Sequence, residues 1–390
     1  MTYSISILTS VTAIFWFSML SLFYIYFLYP LVLFILTRFV KAKPKTSNFC
    51  DIFPLVSIII AAYNEEKVLA RRIQNLLVQD YPKGKMEITV ASDGSTDKTV
   101  EIARIYEVHG INVLDFKVNR GKAAVQNDAV SVASGEIIIF TDANTMFEKD
   151  FLRNMVNYFS EASVGCVVGN LVYKTKGTSI SKSEGFYWRH EKKLRELESH
   201  IGILATATGA CMAVRKDLWK DLSPIDDSDF TTPLDVILQG YKVVYAPNAI
   251  AYDEPPSSVK GETKTRIRQT SKNLIGTLRR WGWRGSIKHP FVSWGLLSHK
   301  ILRWLTPFFM LGAFISNLFL LNEEFFYQAL FAGQVAFYIL AIIGFIGELF
   351  KKRIPVASFI FSFCVANIGM GIGVIKGLAG KAPAAYKMTE

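Results

Sequence analysis

Charge is missing from one end of this chain of 390 residues: from Val11 to Thr37 there is no acidic or basic side chain. A cleaved signal peptide has a shorter apolar core and a charged leader, and neither applies here, so a membrane span is the expectation. Cysteine is scarce as well. Cys50, Cys166, Cys211 and Cys364 lie far apart with no C-x-x-C spacing, which argues against a disulfide framework or a zinc site. Neither common phosphate loop is present. No G-x-G-x-x-G follows the first strand pattern, and Gly121-Lys122 lacks the flanking glycine and Ser/Thr of a P-loop. No nucleic-acid-binding module is visible, so the net charge of +11 is read as a basic face toward anionic lipid head groups, not toward nucleic acid.

What is present divides the chain into four parts: an N-terminal transmembrane helix (1–40), a polar block (53–255), a basic amphipathic segment (256–300) and C-terminal apolar helices (301–380). Arg38, Lys41, Lys43 and Lys45 follow the first span and place the polar block in the cytoplasm by the positive-inside rule. Three further apolar runs cover Trp304–Leu321, Tyr327–Phe350 and Ile354–Leu378. Asn322-Glu323-Glu324 should face out and Lys351-Lys352-Arg353 in. Four spans would leave the tail outside, whereas Lys376, Lys381 and Lys387 favour the inside. The last run, with Gly369, Gly371 and Gly373, is therefore open to a re-entrant reading.

Within the polar block strands and helices alternate. Leu55–Ala62 reads as a buried strand, with Asn64 as the N-cap of a helix carrying Leu69, Ile73, Leu76 and Leu77 on one face. A strand ending at Ser92 and a helix capped by Thr96 and closed by Gly110 follow. Then come strand Ile111–Leu114, helix Gly121–Ala133 and strand Ile137–Phe140. Short links between such units imply a mostly parallel sheet covered on both faces, an α/β domain. Two strands stop at an acid, in Ser92-Asp93-Gly94-Ser95 and Thr141-Asp142-Ala143-Asn144. That puts carboxylates at the carboxyl edge of the sheet, where open α/β folds bind nucleotides.

A diphosphate does not bind bare carboxylates, so a divalent cation, Mg2+ or Mn2+, is implied between them. Asp142 is the leading ligand and Asn144 adds a weaker carbonyl oxygen, although the same residues suit a plain Asx turn. Further along, strand Val164–Val168, a charged helix Ser181–His200 bearing Phe186, Tyr187 and Trp188, and strand Cys211–Val214 are expected. In Asp226-Asp227-Ser228-Asp229 three acids share four positions. They read either as caps for helix Thr231–Gln239 or as a cluster that raises one pKa into the range of a general base. Strand Lys242–Ala246 comes next. The basic segment Lys260–Lys288, interleaved with Leu274, Leu278, Trp281 and Trp283, suits a helix in the membrane interface. Its stretch from Arg266 to Lys272 is also placed to reach a diphosphate.

Together these residues resemble the membrane-integrated family 2 glycosyltransferases, the group that includes hyaluronan, cellulose and poly-N-acetylglucosamine synthases. The resemblance runs from about Val56 to Arg280. Ala61-Ala62-Tyr63-Asn64-Glu65 is similar to the family's first nucleotide-contacting turn, and Asp93 to its uridine-contacting acid. Lys122 matches the lysine that approaches the diphosphate, Asp142-Ala143-Asn144 the Asp-x-Asp metal site, and Thr208-Gly209-Ala210 the loop under the acceptor sugar. Asp229, eleven residues before Gly240, matches the catalytic base. Three departures stand out. Asn144 replaces the second metal-site acid, Ser228 the acid before the base, and the Gln-x-x-Arg-Trp signature of processive synthesis is not intact, Arg268 alone keeping its place in Thr265-Arg266-Ile267-Arg268-Gln269.

The resemblance implies a GT-A (Rossmann-like) domain with transmembrane helices, one N-terminal and about three C-terminal. Its activity would be inverting transfer of a sugar from UDP-glucose or UDP-N-acetylglucosamine to a growing polysaccharide. Asp229 would be the base, Lys122 and Arg268 would face the leaving diphosphate, and the protein would sit in the cell membrane. A single transfer to a polyprenyl phosphate or glycolipid is the alternative, and a non-catalytic nucleotide-binding membrane subunit the rival from another class. Four spans form a channel only with help from interface helices or a homo-oligomer.

Overall fold

Eight strands form one sheet. The chain lays down β1 (Val56–Ala62), β2 (Met86–Asp93), β3 (Ile111–Phe116), β4 (Ile137–Thr141), β5 (Met146–Phe147), β6 (Val164–Tyr173), β7 (Met212–Arg215) and β8 (Lys242–Asp253). Their order across the sheet is β3-β2-β1-β4-β7-β6-β8-β5. The computed structural model describes the backbone of residues 2–40, 53–173, 179–254, 259–350 and 352–382, with side chains described from residue 6 and, past 178, from 189. Lys41, Lys43, Lys45, Cys50, Lys351, Lys387 and the side chains of Phe186, Tyr187 and Trp188 lie outside the described residues.

The helices in chain order begin with α1 (Thr2–Phe23) and α2 (Tyr29–Phe39), then α3 (Leu69–Leu77), α4 (Thr99–Ile105), α5 (Lys122–Val132), α6 (Phe151–Val156), α7 (Ser179–Ile201) and α8 (Ser228–Leu238). After these come α9 (Val259–Gly276), α10 (Gly282–Lys288), α11 (Pro290–Leu296), α12 (Leu302–Trp304), α13 (Thr306–Phe319), α14 (Phe325–Leu349) and α15 (Pro355–Leu378). Leu69, Ile73 and Leu76 of α3, Ala103 of α4 and Met155 of α6 cover one face of the sheet. Val125 and Ala129 of α5, Leu194 of α7 and Leu234 of α8 cover the other. Strands buried on both sides carry the β-branched runs expected of them, such as Ile58-Ile59-Ile60 and Ile137-Ile138-Ile139.

β3, β2, β1 and β4 are all parallel, so their carboxyl ends share one edge, with Ala62 beside Ser92 and Ile60 beside Thr141. The mixed half follows: β7 runs antiparallel to both β4 and β6, while β8 is parallel to β6. The chain leaves β1 toward β2 on one side and meets β4 on the other, the switch point at which α/β sheets open a crevice.

Several local expectations are corrected. Asn64 does not cap α3: it sits in the left-handed region (φ 55°), and its Oδ1 accepts the Thr96 N–H at 2.8 Å. Thr96 is thereby spent on the loop. Asp97 receives the N–H of Thr99 at 2.9 Å where α4 begins. With Glu66 accepting the Lys98 N–H at 3.1 Å, the turns after β1 and β2 are stitched together. β8 runs seven residues past the expected Ala246, because a register shift at Gly169/Asn170 accommodates Pro247, which has no N–H to give to a ladder. α8 starts at Ser228 instead of Thr231, so Asp229 lies in its first turn.

Among the described residues three helices are long and apolar enough to cross a membrane: Ser6–Phe39, Phe325–Leu349 and Pro355–Leu378. A fourth candidate is the pair Pro290–Trp304 and Thr306–Phe319, bent by 59° at Leu305. The first span has 34 residues, about 50 Å at 1.5 Å per residue, so it exceeds a hydrocarbon core of about 30 Å. Its second half continues into the domain, where Tyr29 and Leu33 are buried in the core beneath the sheet.

The last apolar run is one unbroken helix of 24 residues, not a re-entrant loop. Its glycines are a packing face. A Cβ on Gly369 would lie 2.9 Å from Cβ of Arg266, one on Gly373 2.7 Å from Cβ of Thr270, and one on Gly377 3.1 Å from the Ser271 carbonyl. Spaced four apart, they bring α15 backbone to backbone with α9, the small-residue packing that membrane helices use. Lys376 thus stays on the side of the catalytic sheet. The basic segment is only partly a lipid-facing collar. Trp283 and Ile287 are exposed, while Trp281 turns inward and donates its indole N–H to Ser293 Oγ at 2.9 Å.

Candidate active site

The cleft forms where β1, β2 and β4 end. Asp142, the first residue beyond β4, accepts a hydrogen bond from Lys122 Nζ at 2.5 Å, both side chains remaining more than a third exposed. Lys122 opens α5 immediately after Gly121, whose φ of 91° turns the chain into the helix, a conformation only glycine adopts cheaply. Partial withdrawal from water would raise the Asp142 pKa, but Lys122, Arg268 and Arg72 outweigh it and hold the carboxyl below its usual range. The same pairing holds Lys122 above its ordinary value despite desolvation.

Asp93 has both carboxylate oxygens committed to backbone, accepting from Arg120 N at 2.7 Å and Gly121 N at 2.9 Å. Its first task is therefore to shape the 119–121 turn that presents Lys122. Asn119 closes the same turn with a 3.1 Å bond to the Asp93 carbonyl. Ala61 and Tyr63, at the end of β1 and just beyond it, are partly buried at the same edge. Glu65 follows with its carboxyl pushed up to about 7 by burial and by the charges of Asp142 and Asp97.

Asp229 reaches the cleft from the other half of the sheet. Its backbone carbonyl accepts Ala207 N at 2.7 Å and its Oδ2 accepts Gly209 N at 3.3 Å, so α8 and the loop 207–210 hold one another. A Cβ on Gly209 would sit 3.6 Å from Lys122 Nζ and 3.7 Å from Cβ of Asp229, which puts lysine, loop and acid around one point. The other two acids of the cluster are taken by cations: Asp226 by Arg280 at 2.7 Å and Asp227 by Lys272 at 3.4 Å. Burial, and then repulsion from Asp227, raise the Asp229 pKa against the pull of Lys122. Arg268, on α9, adds its field to Lys122 and Asp142.

One acid was absent from the sequence reading. Asp253, the last residue of β8, accepts Asn144 Nδ2 at 2.8 Å, and burial plus the charge of Asp142 push its carboxyl up to about 7. Asn144, expected to offer an oxygen to a cation, uses its amide nitrogen to tie Asp253 to the β4 turn, a bond that does not engage its Oδ1. Among the described residues no group of three or more His, Cys, Asp or Glu side chains could hold an ion alone. One or two carboxylates completed by substrate phosphates is the usual manner of magnesium at such sites, and Asp142 with Asp253 fits it.

Behind the loop lies a buried ionic cluster that sequence reasoning also missed. Arg195 of α7 donates to Thr208 Oγ1 and, at 3.2 Å, to Glu191. Glu191 also receives Lys300 at 2.7 Å, Arg303 at 2.8 Å and His299 at 3.0 Å. His299 Nδ1 lies 2.8 Å from Glu198, whose other contact is the hydroxyl of Tyr29 on α2 at 2.6 Å. Thr208 is thus joined to the N-terminal membrane helix by an unbroken series of polar contacts.

The profile of Glycosyl transferase family 2 matches residues 57–222, which run from the second residue of β1 through β7 and include Asp93, Lys122, Asp142 and Gly209 but not Asp229, Asp253 or Arg268. Residues 57–222 form a family 2 glycosyltransferase domain. Poly-β-1,6-N-acetyl-D-glucosamine synthase of Staphylococcus epidermidis is 29% identical over 222 residues, 55% of this chain and 53% of that protein. The synthase of Staphylococcus aureus strain COL is 27% identical over 253 residues, 63% of this chain and 61% of that protein. The match thus spans little more than half the length of these relatives. Among solved structures, a mannosyltransferase from Pyrobaculum calidifontis in complex with GDP-Man and Mn2+ superposes over 96% of this chain and 99% of that one, with a TM-score of 0.69 at 21% identity. That likeness extends the GT-A fold through the membrane helices. The GT-A-like sheet and the apolar helices at both ends of the chain agree with the fold that the resemblance implied.

Proposed function

We propose that the domain transfers a sugar from a UDP-linked donor to an acceptor hydroxyl with inversion, Asp229 acting as the general base. The observation that carries the reading is the meeting of Lys122, Asp142, Gly209 and Asp229 at the carboxyl edge of the sheet. Asp229 is partly buried and its carboxyl is raised, so it is basic enough to accept a proton from the acceptor as the hydroxyl attacks the anomeric carbon. Gly209, lacking a side chain, leaves room for that acceptor beside the base.

Lys122 and Arg268 supply fixed positive charge where the leaving nucleoside diphosphate gains negative charge. In binding the donor, Lys122 exchanges its bond to Asp142 for one to phosphate. Asp142 and Asp253 would hold a divalent cation there, Mg2+ or Mn2+, which when bound neutralises charge on the diphosphate. Asp93 maintains the turn that presents Lys122, and Thr208 fixes the acceptor loop through Arg195.

The relatives' names favour a growing polysaccharide as acceptor. A lipid-borne hydroxyl is the second reading, favoured by the broken Gln-x-x-Arg-Trp signature around Arg268. In either case Arg38 after the first span favours the cytoplasmic side of the cell membrane for the cleft. Asp229→Asn tests the core claim. UDP release from labelled UDP-N-acetylglucosamine by purified protein should fall by at least about 100-fold, the usual contribution of a general base, while UDP binding persists. Loss of binding together with turnover would refute the role given to Asp229.

A further inference from the structure

Between the membrane helices lies a cavity of about 880 Å3, which neither the family nor the transfer chemistry assigns. It falls within the roughly 300–1,000 Å3 of ligand sites. Its walls come from α1, α13, α14 and α15, and most of the surface is hydrocarbon or aromatic: Leu22, Phe23, Phe27, Leu330, Phe337 and Phe363. A sugar chain filling such a space would leave its hydroxyls without partners at a cost of about 1–3 kcal/mol each. A hydrocarbon chain meets no such cost.

One part of the lining differs. His190 of α7, Arg266 of α9 and Arg303 of α12 bring cationic or titratable groups to the cavity from the side of the catalytic domain. Arg266 is paired with Glu262 at 2.5 Å and Arg303 with Glu191 at 2.8 Å, so an incoming anion would join a mixed ionic cluster. Asn367 supplies an independent sign. It lines the cavity, is 3% exposed, and its Oδ1 has no hydrogen-bond partner although its Nδ2 donates to the Phe363 carbonyl. It stands two residues before Gly369, which packs on Arg266, so the unsatisfied acceptor lies near the cationic end. A hydroxyl or P–OH on a ligand's head would satisfy it.

We infer that this cavity binds a phosphate-headed lipid, its chain among α1, α14 and α15 and its phosphate at Arg266 and Arg303. The site goes beyond the transfer reaction and does not depend on it, since it lies apart from Asp142 and Asp229.

The test uses the full chain in phosphatidylcholine nanodiscs with a diazirine-bearing farnesyl phosphate as photoprobe. Labelling should map to α14 and α15 and yield to unlabelled farnesyl phosphate at least about tenfold more readily than to farnesol, as expected of a charge-assisted contact. Inorganic phosphate should not compete. Gly333→Phe adds a ring at the cavity wall, where nothing lies within 4 Å of a Cβ to oppose its first atom. It should lower labelling about tenfold, as loss of one buried aromatic-sized contact area predicts, and leave UDP binding unchanged. Arg266→Gln should remove the preference for phosphate over alcohol. Equal competition by farnesol would identify ordinary boundary lipid, competition by inorganic phosphate a free-anion site, and indifference to Gly333→Phe a different location; each overturns the inference. Because no turnover is measured, these outcomes are separate from the fate of Asp229 as base.

Discussion

Two carboxylates that stand in the same cleft carry opposite electrostatic histories. Asp142 is held below the usual carboxylate range by Lys122, whereas Asp229 is raised by burial and by Asp227. Activity should accordingly rise with pH as Asp229 loses its proton, with the acid limb lying above the range of an ordinary aspartate. In a pH–rate profile of UDP release, Asp227→Asn should move that limb downward, since it removes a repelling charge. An unmoved limb would assign it to another group. Asp253 deserves equal weight. Asp253→Asn should weaken metal-dependent UDP binding about tenfold while leaving metal-free binding as it was, and equal loss in both would remove it from the cation site. The acid was legible in principle: Ile250-Ala251-Tyr252-Asp253 is an apolar run ending in an aspartate, the pattern that drew attention to Asp93 and Asp142. It was obscured by Pro247, which suggests the end of a strand when the ladder only skips there.

At the level of elements, periodicity found most strands and helices to within a few residues. What it could not reach were long-range hydrogen bonds that redirect local signals. Asn64, Thr96 and Asp97 all have the chemistry of helix caps, and the neighbouring turn decides which of them serves as one. The glycines of α15 show the same limit, because a stripe of small residues reads as weakness until its partner is known. Here the partner is α9, and two substitutions separate packing from propensity. Gly373→Ala should destabilise the protein by about 1–3 kcal/mol, because the added methyl meets Cβ of Thr270 at 2.7 Å and the Ile267 carbonyl at 3.0 Å. Gly333→Ala, with open space around it, should stabilise by about 0.5–1 kcal/mol through helix propensity. Thermal unfolding in detergent measures both, and equal shifts would dismiss the close approach of α15 to α9.

Across the whole molecule, the membrane and catalytic parts are joined by charge as well as by apolar packing. Glu191 balances Arg195, Lys300 and Arg303 in a place nearly closed to water, and it ionises well below the usual range because Lys300, His299 and Arg195 outweigh its burial. Removing the carboxylate strands those cations, so Glu191→Gln should cost about 3–5 kcal/mol. Tyr29→Phe is the gentler probe. It breaks one bond to Glu198, and a fall in kcat with an unchanged KM for the donor would show that the membrane helix helps set the acceptor loop. A change in KM alone would point away from that route. None of this cluster was visible in the sequence, since its members span Tyr29 to Arg303 and share no motif.

The double duty of α9 has a mechanical corollary. Along one side it is keyed into α15 through Gly369, Gly373 and Gly377, and along its length it carries Arg268, whose charge is felt at Asp142, and Lys272, which pairs with Asp227. A rod gripped at that many points cannot slide or roll by a fraction of a turn without disturbing the charges around Asp142 and Asp227. A tilt of α15 imposed by bilayer thickness would therefore be transmitted through α9 to the acids of the cleft.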